Sequence, residues 1–125
     1  MEQTFGSYVR EKRMARGLSL RALAAKLEVS PVYMSNIEND RRPAPTMEKL
    51  NHLIEILGLC QTDAELLLDL AAKSRTQRVS ADLPEYIMER DIVRAALRTA
   101  KEVDATDEEW QEFIDRITQR GKRGE

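Results

Sequence analysis

Leu20–Asn39 reads LRALAAKLEVSPVYMSNIEN, and this stretch decides the fold. It divides at Glu28-Val29 into two short helical patterns. In the first, Leu20, Leu23, Ala24 and Leu27 recur at i, i+3, i+4, i+7, which lines one face of a helix. Ser19 stands where an N-cap belongs. In the second, Ser30 takes the cap and Pro31 the first helical position, where a missing N–H costs nothing. Leu23, Ala24, Leu27, Val29, Met34 and Ile37 are predicted to form the seam between the two helices, and the small Ala24 lets them approach closely. That leaves Ser30, Val32, Ser35, Asn36 and Asn39 facing outward. Such a short, polar and uncharged face suits a surface that touches base edges.

Working outward, Phe5, Tyr8 and Val9 begin an upstream helix that Gly17 ends. Downstream, Asp40–Pro45 reads as a loop fixed by Pro43 and Pro45. Thr46 caps a fourth helix, expected to be buried through Met47, Leu50, Ile54 and Leu57 and ended by Gly58. Thr62 and Glu65 have the spacing of a capping box ahead of Leu66–Ala71, and Lys73–Ser80 reads as a polar linker. Asp82-Leu83-Pro84 opens a further helical stretch through Tyr86 and Ile87. Val93, Ala96, Leu97, Ala100 and Val103 follow at helical spacing. Thr106 and Glu109 make a second capping box, then Trp110, Phe113, Ile114 and Ile117 repeat at i, i+3, i+4, i+7. The stripe either closes the protomer core or forms a dimer seam. A polar tail begins at Gly121. The pattern predicts an all-α chain with no strand.

The chain has 125 residues, 34% of them charged and only 5% aromatic, with a formal net charge of −2. The charge is unevenly spread. Residues 1–50 hold nine Lys/Arg against six Asp/Glu, and residues 51–125 eleven against sixteen. A basic half joined to an acidic half points to a module that meets nucleic acid and another that does not. The single cysteine, Cys60, supports neither a disulfide nor a zinc cluster and reads as a buried free thiol. No apolar run has the length of a membrane span, and the N-terminus lacks the pattern of a signal peptide, so a soluble cytoplasmic protein with no membrane association is expected. His52 has no partner at metal-ligand spacing. Asp107-Glu108-Glu109 fills a helix's first turn, where negative charge suits the dipole. No nucleophile elbow, P-loop or dinucleotide fingerprint is present. Neither enzymatic activity, nor a cofactor, nor a metal site is expected.

The longer run KRMARGLSLRALAAKLEVSPVYMSNIENDRRPAP, followed by a helix ending in Leu57-Gly58-Leu59, resembles the phage-repressor and Cro type of helix-turn-helix, the xenobiotic-response-element (XRE) family. The resemblance covers roughly residues 5–59. It implies a lambda-repressor-like domain followed by a helical C-terminal extension, divided at 1–60 and 61–125. It also implies that the helix at about residues 31–39 enters the major groove. Asn36 would read adenine through its N6 and N7, Val32 would meet a thymine methyl, and Pro31 would give apolar contact. Ser30, Tyr33, Asn39, Arg41 and Arg42 would hold phosphates, with Ser35 on the same face. Arg13 and Glu38 occupy the positions of a structural ion pair. Two positions depart from the family. Glu28 stands where glycine is usual, and a left-handed Glu28 would cost about 1 kcal/mol. Leu20 replaces a polar phosphate holder, which shifts that role to Arg21 and backbone amides.

The resemblance further implies a homodimeric repressor of a pseudo-palindromic operator in double-stranded DNA. Val93, Leu97, Trp110, Phe113, Ile114 and Ile117 are the expected dimer interface. The alternative is an antitoxin or interaction module that binds a toxin or a protease through its C-terminal half.

Overall fold

The computed structural model describes residues 2–75 and 79–123, and among these the regular structure is helical throughout. The helices are α1 (Phe5–Ala15), α2 (Leu20–Leu27), α3 (Pro31–Glu38), α4 (Met47–Leu57), α5 (Gln61–Lys73), α6 (Pro84–Glu89), α7 (Asp91–Val103) and α8 (Asp107–Arg123). Contacts divide the chain into two units, Met1–Pro84 and Glu85–Glu125.

In the first unit, a side-chain cap sets the start of each of α1 to α4. Thr4 caps α1 in a reciprocal box with Ser7, Ser19 accepts from the Ala22 N–H, Ser30 from Tyr33 and Thr46 from Lys49. Each satisfies a donor that the helix itself leaves unpaired. Glu28 ends α2 in the left-handed region at φ 62°, ψ 45°, so the turn adopts a glycine-type geometry without a glycine.

Val9, Leu23, Ala24, Met34, Leu50, Leu53 and Leu67 are completely buried. A fully buried Val, Leu or Met side chain contributes about 1.5–3 kcal/mol. Leu67 lies in α5, and Leu68, Leu70 and Ala71 join the same core. The fifth helix is therefore as much a part of the first unit as the helix-turn-helix pair. The boundary after Pro84 groups it there, whereas the family resemblance implied a division between residues 60 and 61.

Several local expectations are corrected. Leu53 is fully buried, while Met47 and Ile54 are only half-buried. Helix α5 starts at Gln61 after Cys60, with no side-chain cap. Thr62 and Glu65 are both inside it, so their spacing marks no helix start. Cys60 is exposed at the N-cap of α5, not buried. The described ends of the expected Lys73–Ser80 linker are docked. Ser80 is buried and its hydroxyl donates to Asp69, and Ser74 and Arg75 bond the loop before α4. Thr76–Arg78 lie outside the described residues. The expected polar tail is helical from Gly121 to Arg123, with Gly124 and Glu125 outside the described residues.

In the second unit, Arg94 donates to the carbonyls of Ile87 and Met88 and pairs with Asp91, tying the end of α6 to the start of α7. Asp104 ends α7 at φ 54°. Thr106 and Glu109 form the expected capping box, each accepting the other's backbone N–H. Trp110 and Phe113 meet edge to face with centroids 6.1 Å apart. No described side chain of α6 or α7 is buried, and Trp110, Phe113, Ile114 and Ile117 of α8 are exposed.

Candidate DNA interface

Helix α3 is held at its C-terminal end by three sets of contacts. Arg13 of α1 donates from Nε and Nη2 to the two oxygens of Glu38 at 2.7 and 3.0 Å, and from Nη1 to the Leu18 carbonyl at 2.9 Å. The Glu38 side chain is wholly buried. Its hydrogen bonds raise the Arg13 pKa further above its ordinary value, so the guanidinium stays charged. Arg10 approaches the same carboxylate at 3.5 Å.

The second set involves Gly6 and Asp40. A Cβ at Gly6 would lie 2.5 Å from the carbonyl oxygens of both Ile37 and Glu38, so α1 and the end of α3 touch backbone to backbone. Asp40 accepts from the Gly6 N–H at 3.0 Å and from the Thr4 hydroxyl at 2.6 Å. Asp40 is left-handed at φ 58°, and the Arg41 N–H donates back to the Asn36 carbonyl at 2.8 Å. This closes α3 in a Schellman arrangement with aspartate in the glycine position, and fixes where Arg41 leaves the helix.

The third set is Asn39. Its oxygen accepts from Arg10 at 2.9 Å and its amide donates to the Ser35 carbonyl at 2.9 Å. Of the residues expected to face DNA, Asn39 and Ser35 are thus engaged within the protein.

The remaining face is open. Val32 is 71% exposed, Pro31 and Ser30 are exposed, and Asn36 and Tyr33 are half-buried. The Arg42 guanidinium lies 5.2 Å from the Tyr33 ring centroid, which couples the loop to the helix. Arg21 is exposed in the first turn of α2, and Arg41 is exposed just beyond α3. The open face of α3 is therefore short and uncharged, with Arg42 against its Tyr33 and Arg41 just beyond its end. Helix N-termini favour anions, and an uncharged face can approach base edges. Val93 and Leu97 of α7, with Trp110, Phe113, Ile114 and Ile117 of α8, all belong to the second unit.

The α3–α4 loop is clasped from α5. The Ala44 N–H donates to the Ser74 hydroxyl at 3.0 Å. Arg75 donates to the Ala44 carbonyl at 2.8 Å and to that of Pro45. Gly6, Arg10, Asp40, Ser74 and Arg75 carry no sequence signal of these roles, apart from the tolerance of aspartate for the left-handed region. Among the described residues, no group of three His, Cys, Asp or Glu is placed to hold a metal. No helix among them is long and apolar enough to cross a membrane.

Residues 4–67 match the family described as helix-turn-helix domain. Over 93 residues the chain is 38% identical to the HTH-type transcriptional regulator RamB of Mycobacterium tuberculosis, in two strains. The match takes in 74% of this chain but only 18% of those relatives, so it spans about a fifth of their length. Among solved structures, a chain of a SinR protein/SinI protein complex is similar, with 21% identity, TM-score 0.48, and coverage of 95% of this chain and 99% of that one.

Proposed function

Because the chain belongs to the helix-turn-helix domain family, as an XRE-type member, we propose that it is a homodimeric transcriptional repressor whose α3 reads the major groove of a pseudo-palindromic operator. The observation that carries this reading is the open face of α3. It is pinned from behind by Arg13–Glu38, and it carries Val32 and Asn36, with Arg42 against its Tyr33 and Arg41 just beyond its end. In this reading Asn36 reads a base, Val32 packs on a thymine methyl, and Arg21, Arg41 and Arg42 hold phosphates. Ser30 caps α3 through its oxygen, and its O–H is directed to the backbone of the DNA. Repression follows from steric occupation of a promoter by a bound dimer.

The test separates base reading from phosphate holding. Asn36→Ala is expected to lower discrimination at one base position by about 1–3 kcal/mol, leaving non-specific binding intact. Arg41→Ala is expected to weaken all duplexes alike. Equal losses on specific and non-specific DNA from Asn36→Ala would remove α3 from the groove.

The second reading, an antitoxin or interaction module, is favoured by one observation, the exposed apolar side chains of α7 and α8. In that reading they receive a toxin or a protease instead of a second copy. A chain that sediments as a monomer, and copurifies in fixed ratio with a protein encoded beside it, would select it.

A further inference from the structure

A cleft of about 980 Å³ opens beside the recognition surface, between the N-terminal segment, the α3–α4 loop and the end of α5. Its charged lining residues are Glu2, Asp40, Arg41, Arg42, Lys73 and Arg75. The carboxylate of Asp40 is occupied by the Gly6 N–H and the Thr4 hydroxyl, and Arg75 is occupied by the loop carbonyls. Arg41, Arg42 and Lys73 are exposed, and among the described residues none of the three has a carboxylate partner. Three unpaired cations thus share one open cleft with two exposed carboxylates, Glu2 and the hydrogen-bonded Asp40.

We propose that this cleft binds phosphate esters of the DNA backbone, with Lys73 of α5 taking a phosphate beyond those held by Arg41 and Arg42. The inference rests on the helix-turn-helix reading above and extends it to Lys73, beyond the residues 4–67 that match the family. Three features support DNA as the source of the phosphate. The cleft shares Arg41 and Arg42 with the recognition surface, so a strand held at the end of α3 continues into it. It is open instead of enclosed, as a backbone track requires. Its cations are spread over two elements, whereas a compact phosphate would be gathered at one point. Arg75 and Ser74 are positioning residues, because they fix the loop that presents two of the three cations.

Lys73 also stands in the last turn of α5, where a cation complements the helix dipole. Lys101 occupies the same place in α7 and serves as the matched control. The experiment measures binding of the full chain to non-operator duplex DNA across a salt series, by fluorescence anisotropy. Each phosphate neutralised adds about 0.9 to the slope of log K against log salt. Lys73→Gln is expected to reduce that slope by about 0.9, with the Asn36-dependent base discrimination unchanged, and Lys101→Gln to leave it as in the parent. A Lys73→Gln slope equal to the parent's would overturn the proposal while leaving the helix-turn-helix reading in place. An unchanged slope with loss of inorganic pyrophosphate binding, followed by calorimetry, would assign the cleft to a small phosphorylated molecule and overturn DNA as its occupant. A parent chain that binds no duplex at any salt would overturn both readings together.

Discussion

At the scale of single residues, the interface depends on one buried carboxylate. Glu38 is among the few polar side chains buried in the described structure. It is tolerable there because Arg13 meets both its oxygens. Removing one partner of a buried pair strands the other, which costs about 3–5 kcal/mol. Arg13→Ala is therefore expected to lower the unfolding free energy by about that amount. Arg10→Ala, at 3.5 Å and with a half-exposed side chain, should cost about 0–1 kcal/mol. Urea unfolding of the two variants checks this, and equal small losses would show that Glu38 is not held as described. The pair's position was legible through the family resemblance. The bonds from Arg13 to Leu18 and from Arg10 to Asn39 were not, because a guanidinium bonds any carbonyl within reach and no residue type marks the acceptor.

At the scale of elements, the close crossing of α1 over the end of α3 requires Gly6. A methyl group there meets two backbone carbonyls at 2.5 Å, and backbone cannot swing aside as a side chain can. Gly6→Ala is expected to destabilise the first unit by about 1–3 kcal/mol and to weaken specific DNA binding beyond the loss of folded protein. Calorimetric melting together with binding well below the melting temperature separates the two effects. Helices α1 to α4 were readable from caps and periodicity, because those signals are local. Helix α5 was readable as a helix but not by its role. The run Leu66-Leu67-Leu68 puts leucine on every face, so periodicity does not say which face is buried. The Thr62–Glu65 spacing misled because a T-x-x-E pattern inside a helix has the same form as one at its start. The clasp joins the side chains of Ser74 and Arg75 to backbone atoms of the loop 30 positions or more away, and a backbone acceptor or donor leaves no mark in a sequence.

At the scale of the whole molecule, burial is uneven. The buried apolar side chains among the described residues all lie between Phe5 and Ala72. Trp110, Phe113, Ile114, Ile117 and Leu97 are each at least 36% exposed. An amphipathic helix gains little by folding with its apolar face in water, so these faces are expected to be covered by a second copy of the chain. A chain ending at Pro84 should fold, sediment as a monomer and bind operator DNA about 10²–10⁴-fold more weakly than the full protein, the loss being that of effective concentration. Analytical ultracentrifugation of both chains at micromolar concentration decides it. A monomeric full chain, or a dimeric truncation, would place the dimer elsewhere.

The clasp also orders events during synthesis. Helices α2 and α3 touch through residues close in sequence, and local contacts of this kind form within microseconds to milliseconds. The loop carrying Arg41 and Arg42 is set only when Arg75, 31 residues after Ala44, can reach it. At a translation rate of about 5–20 residues per second, that interval lasts on the order of seconds. The loop is thus clasped only after the residues of α2 and α3 have long been made. On the proposed reading, a chain that stops short of Arg75 lacks the clasp and is expected to hold Arg41 and Arg42 less firmly than the full chain does.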